Sequence, residues 1–215
     1  MDGCAGKMNK ISLLMLSLLI ISSDINADDS LFALMQRMRS DTAVKISYQE
    51  IRTLELLDQP WQGSGIMYST PAGIMLREQL QPKRLLMAIN NNDLFYYDPG
   101  QHIRHQGTMA EDDPLTLQFA VFQALINADE ALLRRLYQID FLSKAQRWLM
   151  TLTSKQTGSA FSIVVSGPLL QKVDTIVIRQ ADGDLSEFML TSDKNMSGED
   201  VLHTVTQLYT ELIGE

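Results

Sequence analysis

His102 and His105 form an H-x-x-H pair, the most metal-like spacing in a chain with only three histidines. On a helix such a pair shares a face. "HIRHQG" reads as a strand, however, where residues three apart point to opposite sides. No third ligand is evident and no His-Glu-x-x-His run occurs, so both read as surface histidines. Ala181-Asp182-Gly183-Asp184 begins like a calcium loop, which needs closely spaced oxygen ligands. The later ligand positions hold Leu185 and Phe188, so a glycine-containing turn is the better reading. Glu111-Asp112-Asp113 reads as a solvated loop ending in a helix cap. The sequence contains no G-x-S-x-G, P-loop or dinucleotide fingerprint, and nothing selects a pair of carboxylates for glycoside chemistry. Trp61, Trp148, Phe95, Tyr96 and Tyr97 lie spread along strand-like segments, where aromatics serve packing. These residues point to a binding protein, not an enzyme, with no cofactor and no metal.

The elements that must position such a site begin after residue 27. Lys7 and Lys10 precede an apolar core of 11 residues, Ile11 to Ile21, and a polar stretch ending in Ala27 follows. That is the layout of a cleavable secretory signal peptide, and its core is short of the roughly 20 residues a membrane span needs. Residues 1–27 are therefore expected to be removed, with translation starting at Met1 or at Met8. The cut takes away Cys4, the only cysteine, which excludes thiol chemistry, disulfides and cysteine metal sites. The expected mature chain, residues 28–215, is long enough for one ordinary hydrophobic core.

The net charge is −8. An acidic chain does not condense on phosphate backbones, and there is no polybasic stripe for anionic membrane surfaces, so nucleic acid is excluded as a partner. Nine of the twelve methionines lie beyond residue 27. Methionine fills cores, and it also suits surfaces that accept apolar ligands of varied shape.

No repeat, low-complexity tract or Pro/Gly/Ser linker divides the mature chain, which is read as a single domain. Leu31, Leu34, Met35 and Met38 recur at helical spacing after Asp29-Ser30. Alternation then predicts strands at Val44–Tyr48, Gly63–Ser69, Ala72–Gln79, Lys83–Asn90, Leu94–Asp98 and Ile103–Gly107, separated by turn residues. Asp113-Pro114 opens a helix carrying Leu115, Phe119, Phe122, Leu125 and Ile126, and Asp129 caps a second over Glu130–Tyr137. Strands resume at Arg147–Thr153, Phe161–Ser166, Thr175–Gln180 and Leu185–Thr191, and a last helix covers Val201–Ile213. Helix, meander, two helices, meander, helix is the order of an α+β fold or partly closed barrel with helices gathered on one side.

One pattern stands out. In "SGIMYSTPAGIMLREQLQP", Ile66 and Met67 are adjacent, as are Ile74, Met75 and Leu76. Adjacent strand residues face opposite ways, so these strands are apolar on both faces. Something must cover each.

The order "GSGIMYSTP…LREQLQP…INNNDLFYYDP", followed by "DDPLTLQFAVFQALINADEALLRRLYQIDF", "RWLMTLTSK" and "VDTIVIRQADGDLSEFMLT", resembles a divergent branch of the periplasmic outer-membrane lipoprotein carrier family, the LolA-like fold. The resemblance covers about Ser30 to Ser192. It implies an incomplete, strongly curved antiparallel β-barrel with helices forming an internal lid. It also implies a periplasmic carrier of lipoprotein acyl chains that takes cargo from an inner-membrane ABC or other exporter complex and delivers it to an outer-membrane receptor. Carriers of this family have an aromatic-Arg-aromatic run after the turn proline, whose arginine bonds to the lid. Here Met75 stands at that position, and Arg77, shifted by two onto the same face, is the candidate latch. The "T-x-K" after "RWLMTL" likewise replaces the proline of the divergent branch.

Strand parity, read with this resemblance, assigns Ile46, Tyr48, Ile66, Tyr68, Ile74, Leu76, Leu85, Met87 and Phe95 to a lipid-binding cavity and Phe119, Phe122 and Leu125 to its roof. A latch at Arg77 and cavity positions for Ile74 and Leu76 exclude one another, because they lie on opposite faces. The expected protein is a monomeric periplasmic lipid or lipoprotein carrier. The alternatives are a carrier of another exported lipid such as an aryl-polyene-type glycolipid, a lipoprotein-sensing adaptor, and a lipid-acting enzyme.

Overall fold

The computed structural model describes residues 27–55, 57–108, 114–144, 146–155, 162–192 and 196–215. The expected signal segment up to residue 26, with Cys4, lies outside the described residues, as do Glu111, Asp112 and Asp113.

Helix α1 (Ala27–Met38) leads into six strands: β1 (Val44–Thr53), β2 (Trp61–Ser69), β3 (Met75–Gln81), β4 (Leu85–Asn90), β5 (Asp93–Asp98) and β6 (Ile103–Thr108). Helices α2 (Pro114–Asn127) and α3 (Glu130–Leu136) follow. Five more strands come next: β7 (Tyr137–Lys144), β8 (Arg147–Ser154), β9 (Ser162–Pro168), β10 (Thr175–Arg179) and β11 (Leu185–Ser192). Helix α4 (Gly198–Ile213) completes the order. All eleven strands form one antiparallel sheet, β6-β5-β4-β3-β2-β1-β11-β10-β9-β8-β7. The two meanders are joined where β1 pairs with β11, Tyr48 opposite Leu190 and Glu50 opposite Phe188. The sheet is open and curled. Among the described residues no helix is long and apolar enough to cross a membrane.

The turns follow local chemistry. Gly73, at φ 88°, closes the β2–β3 hairpin by donating its N–H to the Thr70 carbonyl, a left-handed position that costs glycine little. The Ala181–Asp184 stretch is a hairpin turn, with the Asp184 N–H donating to Asp182. Asp129 caps α3 by accepting from the Leu132 N–H, and Ser197 and Asp200 make a reciprocal capping box at α4, which satisfies otherwise orphaned donors.

Strand β7 departs from the sequence-based expectation, which carried a helix to Tyr137 and resumed strands only at Arg147. Tyr137, Ile139 and Phe141 alternate with Gln138 and Asp140, and this half-buried pattern pairs with β8. The helices also depart from the expected one-sided arrangement. Leu31, Leu34 and Met38 of α1, Phe119, Phe122 and Leu125 of α2 and Leu133 of α3 share a core with Met67 and Met75 of the sheet. Val201, Val205 and Leu212 of α4 pack instead with Tyr68, Leu76, Leu86 and Tyr97. Met75 and Leu76 are neighbours, so the two cores lie on opposite faces. The strands apolar on both sides are therefore covered twice: by the α1–α3 group on the inner face and by α4 on the outer. Where α4 does not reach, alternation is clean, as in β8, where Trp148, Met150 and Leu152 are buried between exposed Arg147, Leu149 and Thr153.

Candidate binding cavity

The inner face of the sheet is an apolar floor. Met67 and Met75 point inward, as do Leu85 and Met87 of β4. Past the β1–β11 junction the floor continues with Phe188, Ile176 and Ile178. Helix α2 lies over it. The Phe122 ring meets Phe188 edge-on, with centroids 5.1 Å apart and planes at 77°, a favoured aromatic geometry. Among the described residues two hydrogen bonds tie α2 to the β2–β3 hairpin. The Ser69 hydroxyl donates to Asn127 Oδ1 at 3.0 Å, and Gln123 Nε2 donates to the Gly73 carbonyl at 3.0 Å.

Two cavities of about 860 Å³ each flank the Phe122 contact, a size suited to small organic ligands. Met67 and Phe122 line both and form the wall between them. The first cavity reaches the end of the curled sheet where β1 finishes and β2 begins, with Arg52, Trp61, Lys83 and Asp184 at its rim. The second reaches the opposite end, between the start of β1 and the β9–β10 connection, with Arg37, Lys45, Lys172 and Asp174 among its lining.

A polar network sits in the floor of the first cavity. Arg77 Nε donates to the Tyr48 hydroxyl at 2.8 Å, and a terminal nitrogen of the same guanidinium donates to Glu50. Arg52 donates to the other oxygen of that carboxylate and lies over the Trp61 ring, 4.9 Å from its centroid. The Glu50 side chain is 0% exposed and that of Arg77 10%, so this carboxylate is stable as a buried anion only while its arginines are present. Burial pushes the Tyr48 phenol above its ordinary 10.0, against the pull of the Arg77 charge. On the outer face burial pushes Tyr68 up to about 12, with Glu78 adding to it.

The expected site residues divide between the faces. Leu85, Met87 and Phe119 line the first cavity, Ile46 and Leu125 the second, and Phe122 both. Tyr48 packs in the inner core beside Phe188. Ile66, Tyr68, Ile74, Leu76 and Phe95 stand on the outer face against α4, with Phe95 edge-on to Tyr209 at 5.5 Å. That corrects their assignment to the cavity: both parities of β2 and β3 are apolar, so the strands alone do not choose a face. Arg77 points inward, but its hydrogen bonds run to Tyr48 and Glu50 of β1 and not to a helix. The expected latch is a sheet brace, and the polar ties to the lid come from Ser69 and Gln123. The residues overlooked in the sequence were Met67, Met75, Phe188 and Ile176. The alternation in "TIVIR" and "LSEFMLT" marks the last two as inward. His105 lies on exposed β6 and His102, at φ 55°, in the turn before it, and among the described residues no group of three or more His, Cys, Asp or Glu could hold a metal ion.

Residues 23–196 match the family model described as outer membrane lipoprotein carrier protein LolA-like. A search of curated proteins finds no match. Among solved structures, the chain is similar to a LolA superfamily protein from Nitrosomonas europaea at 9% identity, covering 80% of this chain and 95% of that one, with a TM-score of 0.44. An uncharacterized conserved protein from Thermus thermophilus shows 9% identity over 82% and 93% of the two chains, TM-score 0.49. The lipoprotein LppX from Mycobacterium tuberculosis shows 8% identity over 79% and 98%, TM-score 0.41.

Proposed function

Because this chain belongs to the LolA-like family of outer-membrane lipoprotein carrier proteins, we propose that it is a periplasmic carrier that shelters acyl chains between the inner face of its sheet and helix α2. In this reading residues 28–215 are one carrier domain released from a signal peptide. Its cargo is an acylated lipoprotein or another exported lipid, received from an inner-membrane exporter complex and passed to an outer-membrane receptor.

The observation that carries the reading is the paired cavity, floored by Met67, Met75, Met87 and Phe188 and roofed by Phe119 and Phe122. Each methylene kept from water is worth about 0.8 kcal/mol, so an acyl chain does not cross an aqueous compartment without such a shelter. Methionine adapts to chains of different shape. The roof is held by aromatic packing and two short polar ties, which is compatible with opening and reclosing. A plain core would have no use for cavities of this size, because interiors pack to the density of organic crystals.

The test is native mass spectrometry of protein recovered gently from the periplasm, followed by organic extraction. An acylated mass, lost when Phe122 is replaced by Asn but kept when the exposed Leu202 is replaced by Asn, is the expected result. A bare protein that also refuses an offered acyl ligand would overturn the reading.

A further inference from the structure

A polar band crosses the floor of the first cavity. Ser186 of β11 lies opposite Arg52 of β1. Arg77 of β3 joins them from beyond β2, through the Glu50 carboxylate that it shares with Arg52. Ser186, Arg52 and Arg77 all line the cavity. The donors of this band are not used up. Arg77 gives Nε to Tyr48 and one terminal nitrogen to Glu50, and its other terminal nitrogen has no acceptor among the described residues. Arg52 gives Nε to Glu50, and neither of its terminal nitrogens has an acceptor among the described residues. The Ser186 hydroxyl has no hydrogen-bond partner among the described residues, although the residue is only 9% exposed. Buried hydroxyls are normally bonded, because one left unmade loses its hydration for nothing. The carboxylates nearby are engaged. Glu50 lies between the two arginines, Asp98 accepts from Lys83, and Asp184 accepts from the Glu55 N–H. Beyond the band the cavity is apolar, through Met67, Met75 and Phe119 to Phe122.

We infer, building on the carrier reading above, that Ser186 and the unspent N–H groups of Arg77 and Arg52 bind the carbonyl oxygen of the cargo's acyl linkage, an ester or an amide. The linkage rests on the polar band, and the tail runs from it over Met67 and Met75 toward Phe122. A carbonyl oxygen has two lone pairs, so it accepts from the hydroxyl and from a guanidinium together, and the bond from a charged donor is the stronger kind. A carboxylate fits the band less well, because it would set a second anion beside the fully buried Glu50. A bare alkyl chain would leave the hydroxyl as it is, buried and without a partner. The band therefore reads where the chain is joined to its carrier molecule, and the apolar floor reads the chain.

Calorimetric titration with three probes of equal chain length, each kept below its aggregation concentration, tests this. The probes are 1-lauroylglycerol, which has the ester carbonyl, 1-dodecylglycerol, the ether that lacks it, and laurate. The ester is expected to bind about tenfold more tightly than the ether. In the Ser186→Ala variant that preference is expected to fall to about threefold, while affinity for the ether and the midpoint of urea unfolding hold. A residue serving only the fold would not separate the two probes. Equal affinity for ester and ether, a preference that survives Ser186→Ala in full, or laurate binding more tightly than the ester would each overturn the inference and leave the carrier reading standing. Failure of all three probes to bind would overturn both.

Discussion

Arg77 of β3 reaches across β2 to Glu50 of β1, and the Tyr48 hydroxyl that it also binds lies over Gly65, within 2.9 Å of where a Cβ would stand. The pair ties together strands that are not neighbours and fixes the curl of the sheet beneath the first cavity. Arg77→Met removes a buried cation and leaves Glu50 with Arg52 alone, so we expect a loss of about 3 kcal/mol in urea unfolding. Adding Glu50→Gln to that variant should recover part of the loss, because the stranded charge is then gone. A double variant no more stable than Arg77→Met would show that the cost lies in packing.

The crowding beneath the Tyr48 hydroxyl makes Gly65 sensitive. A Cβ there would collide with the Glu78 carbonyl oxygen and come within 2.9 Å of the Tyr48 hydroxyl, and a backbone atom cannot swing aside. Gly65 also sits at the register shift between β2 and β3. Gly65→Ala should cost about 1–3 kcal/mol, read as a lowered denaturation midpoint. Gly107→Ala is the control, since nothing lies within 4 Å of its added Cβ.

Phe122 separates the two cavities. Phe122→Ala should cost about 3 kcal/mol or more through lost burial and an unfilled void. It should also join the cavities, so that among acyl ligands the longest chains gain most over wild type. Binding curves for a series of chain lengths check this. A uniform loss at every length would mean that the wall is formed elsewhere.

Acid should loosen α4. Arg84 links Glu78 of β3 to both oxygens of Glu211 on α4, and its hydrogen bond holds the Glu211 carboxyl below its ordinary 4.5, against the effect of burial. A carboxyl lowered in the folded state adds stability above its unfolded pKa and loses it as pH falls through the folded value. Both side chains are 37% exposed, which limits the contribution to about 0.5–1 kcal/mol. Glu211→Gln should therefore melt earlier than wild type at pH 7, and the two curves should converge below pH 4 or so. A gap that persists into acid would count against the ion pair.

Much of this architecture is legible in the residues. The alternation of Val44, Ile46 and Tyr48, the turn at Thr70–Gly73 and the cap at Asp129 are local effects, and short stretches carry them. The face of each strand is a different matter. Ile66 and Met67 are equally apolar, and which one meets the cavity depends on α4, whose Val201 and Val205 are remote in sequence. The room for the Tyr48 hydroxyl, and so for its bond from Arg77, depends likewise on the side chain absent at position 65. Strand β7 was obscured by its neighbour, since Leu132, Leu133, Leu136 and Tyr137 extend a helical period across the boundary.

Helix α4 also bears on the order in which the molecule assembles. Until residues 198–213 arrive, Tyr68, Leu76, Leu86 and Tyr97 have no cover, and β1 lacks one of its two neighbours until β11 exists. The first meander cannot mature as an independent unit, because its completion waits on pairings with the far end of the chain. Such non-local closure makes folding slow, and the half-formed sheet is adhesive while it waits. A chain built this way stays loose during synthesis and closes late.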